Sequence, residues 1–248
     1  MRLRDHSISL YDAALALLYP QECAVCGASV ESHADGVACD ACWQQTRIFS
    51  GEETICWKCG AISVAEAVAE EKRIEVRCRR CETEAFTAAR ACGTYEGALR
   101  ASVLALKHEP HVAPRLARLM SEAQRRAPLR DATRIVPVPL HPERMRERGF
   151  NQAAALAVAL ARSTRLPLDE WSLVRTLRPA RYRAGMDASA RRESVRGAFQ
   201  TQRPRLIRGE RILLVDDVFT TGATVNACAS ALKAAGAQAV FVLTVARP

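Results

Sequence analysis

Aromatic side chains are scarce in this 248-residue chain: Trp, Tyr and Phe together make up 5%. The apolar share is still 49%, so the expected core is built mainly from Ala, Leu and Val. No apolar run approaches the ~20 residues that a membrane-crossing helix needs, so no helical membrane span is expected. The dipeptide Gly-Lys is absent. Without it there is no G-x-x-x-x-G-K-[ST] phosphate loop, which excludes the P-loop NTPases. A cleavable leader is not expected either. The opening "MRLRDHSISLYDAALALLYPQEC" is basic and then apolar. However, Asp12 interrupts the apolar stretch, and Pro20, Gln21 and Glu22 stand where small cleavage-site residues would be. Ile8, Tyr11, Leu15, Leu18 and Tyr19 fall on one helical face. This predicts a packing helix over 1–19 and a cytoplasmic protein.

Acidic residues thin out along the chain. Residues 1–86 hold 9 Lys/Arg against 14 Asp/Glu, and residues 87–248 hold 27 against 13. An acidic first module followed by a strongly basic second one points the second towards a polyanion, either nucleic acid or a small phosphorylated ligand.

What the first module does have is cysteine. Eight of the ten cysteines form four C-x2-C pairs: Cys23 and Cys26, Cys39 and Cys42, Cys56 and Cys59, Cys78 and Cys81. Two such turns aim four soft thiolates at one ion, and a four-cysteine tetrahedral site suits structural zinc and leaves no open position for catalysis. Gly27 and Gly60 follow their pairs directly, where a tight metal-binding turn requires them. A disulfide framework needs an oxidising compartment, and four successive C-x-x-C motifs are too many for a redox centre. Two zinc ribbons are therefore expected within residues 20–85. Sequential ligation, with pair one on pair two and pair three on pair four, is favoured over interleaved ligation, which spacing alone leaves open. His33 reads as a surface loop residue because four thiols already fill its site. Trp43 and Trp57 read as ribbon core ahead of base-stacking platforms. Cys228 reads as a small buried hydrophobe.

From about Phe86 strands alternate with helices. "RACGTYEG" reads as a strand and turn. "ALRASVLALKH" and "HVAPRLARLMSEAQRRA" read as helices. "RIVPVPL" (134–140) reads as a strand, and "NQAAALAVALARS" (151–163) as a helix capped by Asn151. "RILLV" (211–215) is a buried strand, "TVNACASALKAAG" a helix ending at Gly236, and "AVFVLTVA" a last strand. This is an α/β pattern with a mainly parallel sheet and helices on both faces. Its ligands belong at the carboxyl ends of the strands. The stretch "RILLVDDVFTTGAT" places Asp216 and Asp217 at such an end, with Thr220, Thr221, Gly222, Ala223 and Thr224 at the next helix start. A helix start favours phosphate, and a carboxylate pair accepts from a vicinal diol. The combination fits a ribose 5-phosphate. A phospho-receiver domain would carry its acidic pair near its own start, and only 31 residues follow Asp217.

"ILLVDDVFTTGAT" resembles the motif by which type I phosphoribosyltransferases bind phosphoribosyl pyrophosphate (PRPP). With the double zinc ribbon ahead of it, and with "TYEGALRASVLALKH", "VPVPLHPERMRERGFNQA" and "ARRESVRGAF", nearly the whole chain from Pro20 onward resembles the ComF family. The resemblance implies an N-terminal helix (1–19), a double zinc ribbon (20–85) and a phosphoribosyltransferase-like domain (86–248). It implies PRPP or another ribose 5-phosphate as ligand, with Mg2+ on the diphosphate, two structural Zn2+ ions, and a link to DNA uptake in natural transformation. Val215 through the Thr220–Thr224 loop would hold ribose and phosphate. Pyrophosphate would meet the loop 140–150, with Leu140, Arg144, Arg146 and Arg148, and Lys107 is a further candidate for an anion. A loop over Arg178–Arg192 would close on the site. Family members commonly carry Gln and Asn there, where this chain has Arg183 and Ser194. No residue declares itself as general base, so two readings stay open. One is a phosphoribosyltransferase of unknown acceptor. The other is a non-catalytic module that contacts single-stranded DNA or competence proteins through a vestigial site, the DNA following the Arg-rich domain and the ribbons contacting protein.

Overall fold

The computed structural model describes residues 21–30, 32–62, 70–176 and 197–248. The helix expected over 1–19 and the closing loop, with Arg183 and Ser194, lie outside the described residues. The regular elements are α1 (Asp40–Gln45), β1 (Ala88–Thr94), α2 (Gly97–Ala105), α3 (Pro114–Gln124), β2 (Arg134–Pro137), α4 (Pro142–Arg148), α5 (Gln152–Thr164), β3 (Leu173–Arg175), β4 (Phe199–Thr201), β5 (Arg211–Val218), α6 (Ala223–Ala234) and β6 (Ala239–Arg247). Four strands form a parallel sheet in the order β1-β6-β5-β2. The short β3 and β4 pair separately and antiparallel.

The sheet is buried on both faces, as the near-continuous apolar runs of β5 and β6 require. Successive residues alternate between two cores. Leu213 and Val215 of β5 pack with Leu99 of α2, Met120 of α3 and Leu156 of α5. Ile212 and Leu214 pack with Val225 and Leu232 of α6 and with Phe199 of β4. Cys228 is fully buried in this second core, in line with its reading as a small hydrophobe. Asn151 caps α5 as expected, its side chain accepting from the Ala153 N–H at 3.0 Å. Among the described residues, no helix is long and apolar enough to cross a membrane.

The two modules share these cores. Cys39 and Trp43 belong to the first and Cys56 and Cys59 to the second. The segment between the ribbons and the first turn of the second ribbon lie along the open edge of β1. The Ala89 N–H donates to the Lys58 carbonyl at 2.7 Å, the Phe49 N–H to the Cys92 carbonyl at 2.8 Å and the Thr94 N–H to the Arg47 carbonyl at 3.0 Å. An uncovered edge strand invites pairing with another chain, and here the ribbon segment occupies that edge. Arg115 of α3 adds an ion pair to Asp35 at 2.9 Å and another to Asp40 at 2.8 Å, with its guanidinium 5.0 Å from the Trp43 ring. The acidic ribbons thus meet the basic domain of their own chain.

Candidate metal centres and ligand cleft

The eight paired cysteines gather into two sets: Cys23, Cys26, Cys39 and Cys42, and Cys56, Cys59, Cys78 and Cys81, with the four sulfurs of each set within 4.8 Å of one another. The grouping is sequential. Sulfurs at the corners of a zinc tetrahedron with Zn–S of about 2.3 Å stand about 3.8 Å apart. The observed Cys23–Cys42 and Cys26–Cys39 separations are 3.7 Å, and Cys56–Cys81 and Cys59–Cys78 are 3.5 Å. These distances fit thiolates around one ion and are far too long for disulfides.

The two sets repeat one local design. The Gly27 N–H donates to the Cys23 carbonyl and the Gly60 N–H to the Cys56 carbonyl, at 2.9 and 2.8 Å. Both glycines have positive φ, 77° and 70°, a conformation that costs a side chain but not Gly. Across each set, a backbone N–H from the later pair points at the first sulfur: Cys39 to Cys23 Sγ at 3.3 Å, Cys78 to Cys56 Sγ at 3.2 Å. Burial raises both first thiols, but the amide donors outweigh it, and Cys23 and Cys56 each come down to about 6. Burial pushes Cys59 up to about 11. A set that already holds one thiolate resists a second until a cation relieves the crowding. Two four-cysteine clusters therefore fit two structural zinc ions. His33 opens a short 3-10 turn between the first two pairs. Trp43 is buried core, as expected, whereas Trp57 is half-buried under Arg90, 4.9 Å from the guanidinium.

The second site lies at the carboxyl edge of the sheet. β5 runs three residues beyond the expected Val215 end, because Asp216 to Val218 still pair with β6. Asp216 and Asp217 are thus held in extended backbone, and each side chain accepts from the next N–H, Asp217 at 2.9 Å and Val218 at 2.8 Å. Burial and the neighbouring Asp217 charge push the Asp216 carboxyl well above its usual range, with Arg175 opposing. Two adjacent carboxylates without a cation do not both ionise freely.

The turn after β5 brings Thr220, exposed, Thr221, half-buried, and Gly222 to the start of α6. Gly222 caps α6 at φ 79°, and a Cβ there would stand 2.9 Å from Phe219 Cζ. The first-turn N–H groups of α6, from Ala223 and Thr224 on, lack intrahelical acceptors by geometry. The Thr221 hydroxyl reaches only the Ala223 N–H, at 3.4 Å. Val215 lies short of this loop, its side chain fully buried and its carbonyl accepting from the Val138 N–H at 2.9 Å. It is the residue before the carboxylates in β5.

The expected pyrophosphate loop differs from the expectation. β2 ends at Pro137, and most of 140–150 is helix α4, started by Pro142 and capped by the His141 ring nitrogen, which accepts from the Glu143 N–H at 3.2 Å. Pro after a capping residue is a helix start, so the sequence "LHPERMRERG" carried that signal. Arg144 is exposed and paired with Glu147 at 2.9 Å, and Arg148 donates to Gln152 at 2.9 Å. Leu140 borders a mostly apolar cleft of about 900 Å3 with Met145, Phe150 and Trp171. Lys107 follows α2, half-buried. Among the described residues no hydrogen bond or ion pair joins it to the β5 loop. Arg175 on β3 was given no role by sequence reasoning. It borders the same cleft, its charge reaches Asp216, and its Nε is buried without a hydrogen-bond partner among the described residues. No spacing signal marks it, because the pairing of β3 with β4 sets its place.

The fold and the two cysteine sets define a class: a double zinc ribbon fused to a phosphoribosyltransferase-type α/β domain. Residues 14–82 match the "Double zinc ribbon domain" family and residues 151–248 the "Phosphoribosyl transferase domain" family. The chain is 30% identical over 217 residues to the DNA utilization protein YhgH of Escherichia coli K12, covering 84% of this chain and 89% of that one. It is 33% identical over 140 residues to competence protein F of Haemophilus influenzae, covering 53% and 59%, and 35% identical over 105 residues to competence protein ComFC of Bacillus subtilis, covering 42% and 40%. The chain belongs to this ComF family of competence and DNA utilization proteins. Among solved structures, the glutamine PRPP amidotransferase of B. subtilis aligns with 59% of this chain and 26% of its own at 19% identity, with a TM-score of 0.35.

Proposed function

We propose that the carboxyl edge of β5 binds the ribose 5-phosphate part of PRPP and that the domain over 86–248 is a phosphoribosyltransferase of a ComF-type protein serving DNA uptake. The observation that supports this most is the placement of the Asp216–Asp217 pair next to the Gly222 turn at the start of α6. Carboxylates and a helix N-terminus are opposite preferences, one for hydroxyls or cations and one for phosphate, and a ribose 5-phosphate satisfies both. Gly222, with no Cβ, lets phosphate reach the first-turn N–H groups. As pyrophosphate leaves the anomeric carbon, positive charge grows on the ribose ring, and the ionised aspartates stabilise it. Arg175 supports this chemistry better than Arg144 or Arg148: its charge acts on Asp216, whereas Arg144 and Arg148 are engaged with neighbours on or beside α4. Hard carboxylate oxygens also suit Mg2+, which would supply charge neutralisation on the diphosphate.

Titration calorimetry with PRPP and Mg2+ tests binding, and pyrophosphate release on incubation with PRPP and a metabolite extract tests turnover. Absence of affinity at millimolar PRPP would remove the reading. The Asp216 proton adds a signature. Ribose hydroxyls that donate to the carboxylate, and a Mg2+ ion beside it, would favour its ionised form, so binding should release protons and strengthen as pH rises.

A further inference from the structure

A second cleft, of about 650 Å3, opens where the inter-ribbon segment and the second ribbon meet β1 and the end of α3. It belongs neither to the β5 loop nor to either cysteine set. Five arginines line it: Arg73 from the second ribbon, Arg90 from β1, and Arg125, Arg126 and Arg130 from the end of α3 and the turn beyond. The acidic residues on its walls are Glu52 and Glu53. The Glu53 carboxylate is folded onto its own loop, accepting from the Ser50 and Gly51 N–H groups at 2.8 and 2.9 Å. Arg126 spends one nitrogen on the Phe49 carbonyl at 2.6 Å, a neutral acceptor that leaves its charge unbalanced. Arg125 and Arg130 are exposed at the rim.

Two guanidinium donors are left over inside. Arg90 gives Nη1 to the Trp57 and Ala89 carbonyls, at 2.9 and 2.8 Å. Its Nη2 is buried with no hydrogen-bond partner among the described residues, and so is the Nε of Arg73. A buried unsatisfied donor is uncommon and costly, most of all on a charged group. Converging arginines with free N–H groups match the oxygens of phosphate, which guanidinium forks bind in pairs.

We propose that this cleft binds phosphate groups of a ligand, held by Arg73 and Arg90 inside and by Arg125 and Arg130 at the rim. Phosphate can come from a small diphosphate or from the backbone of a nucleic-acid strand. The cleft joins a ribbon residue to residues of the basic domain, so it exists only in the full chain. The charge count of the sequence points to the second module alone, and the fold brings Arg73 of the acidic module to the same place.

The test uses the zinc-loaded full chain and two probes, inorganic pyrophosphate by calorimetry and a fluorescein-labelled single-stranded 20-mer oligonucleotide by anisotropy. The variants are Arg73→Gln and the double variant Arg125→Gln/Arg130→Gln. The rim pair is exposed, so the double variant should keep its zinc and its melting temperature. Loss of a charge-assisted contact should weaken the affected probe about tenfold. For the oligonucleotide, removing two phosphate contacts should also lower the slope of log affinity against log salt by about 1.4. Asp216→Asn should leave both effects in place, which separates this cleft from the β5 site. Weakened oligonucleotide binding with no competition by pyrophosphate assigns the strand backbone, and matched weakening of both probes assigns a small diphosphate. Unchanged affinity of both variants for both probes, or no binding of either probe to the wild-type chain, overturns the proposal.

Discussion

The cysteine sets and the aspartate pair both crowd groups that ionise negatively, and the protein treats them in opposite ways. Around Cys23 and Cys56, backbone N–H groups from the neighbouring turns outweigh burial and bring the thiols to about 6. Around Asp216, burial and the Asp217 charge win, and the carboxyl is held well above its usual range. The first arrangement is prepared for a cation that stays, because its donors are fixed by the same turns that place the sulfurs. The second carries its crowded charge without a fixed partner, as the proposed ligand site would require. Metal sites that belong to the fold are stabilised in advance, whereas a site for turnover or exchange keeps its cost.

The largest effect expected from this contrast is on the cysteine side. Elemental analysis of protein purified without chelator should give two zinc ions per chain. Cys56→Ser should lose one. Structural zinc binding is worth on the order of 10 kcal/mol in small ribbons, and the second set shares a core with Ile212, Leu214 and α6. Loss of even half of that should lower the melting temperature by about 10 °C or more in a chain of this size. Stable, zinc-free protein with unchanged melting would erase the distinction.

The aspartate side should respond in reverse. Asp216→Asn keeps the shape and removes the crowded charge. PRPP affinity should fall about ten- to a hundredfold through loss of a charge-assisted hydrogen bond, with Asp217→Asn similar. Stability should move the other way. Because the folded pKa of Asp216 is raised, the folded state holds more protons than the unfolded one, and stability falls as pH rises from the ordinary carboxylate range through the raised value. Above that window Asp216→Asn should melt higher than wild type, and its melting temperature should vary less with pH. A variant that loses both affinity and stability would show that the pair is structural.

Gly222→Val should produce an intermediate loss. At φ 79° a left-handed β-branched residue costs roughly 1–2 kcal/mol in backbone strain. Its Cβ would also meet Phe219 at 2.9 Å. Calorimetry should show weaker PRPP binding together with a small drop in melting temperature, unlike the opposed signs expected of Asp216→Asn.

Legibility followed the range of the interactions involved. The four C-x2-C pairs and "LLVDDVFTTGAT" are local: the spacing carries the turn chemistry, so the cysteine ligand set and the strand-to-helix corner could be read from the chain, whereas the sequential grouping of the sulfurs, which spacing leaves open, is settled by the fold. Helix α4 was also local: Pro142 after the capping His141 is a helix-start signal, but the family resemblance set the expectation of a loop over 140–150. The cover over β1 was not legible. It depends on Lys58, Phe49 and Arg47 meeting Ala89, Cys92 and Thr94, pairings between segments that no periodicity relates. Arg175 was missed for the same reason. Its neighbour Asp216 is 41 positions away in the sequence.

The smallest expected effect tests whether the two sides of the comparison are joined. Arg247, at the end of β6, donates to the Cys59 carbonyl at 2.9 Å and lies 5.5 Å over the Phe219 ring. Phe219 in turn meets Phe86 edge-on at 5.9 Å and backs the Gly222 turn. One side chain thus touches both the second cysteine set and the residue that backs the Gly222 turn. Arg247→Met keeps the packing length and removes the hydrogen bond and the cation. A hydrogen bond from a charged donor contributes about 1.5–3 kcal/mol when both partners are buried. Arg247 is partly exposed, so about 1 kcal/mol of stability is the expected loss. Zinc content should not change, because every sulfur is still in place. PRPP affinity should weaken only a few-fold, through a looser Phe219. Elemental analysis, thermal melting and calorimetry on the same preparation read all three. If affinity stays at the wild-type level while stability drops, the ribbon and the β5 loop share a core but not a coupling, and the contrast between them is one of two independent sites.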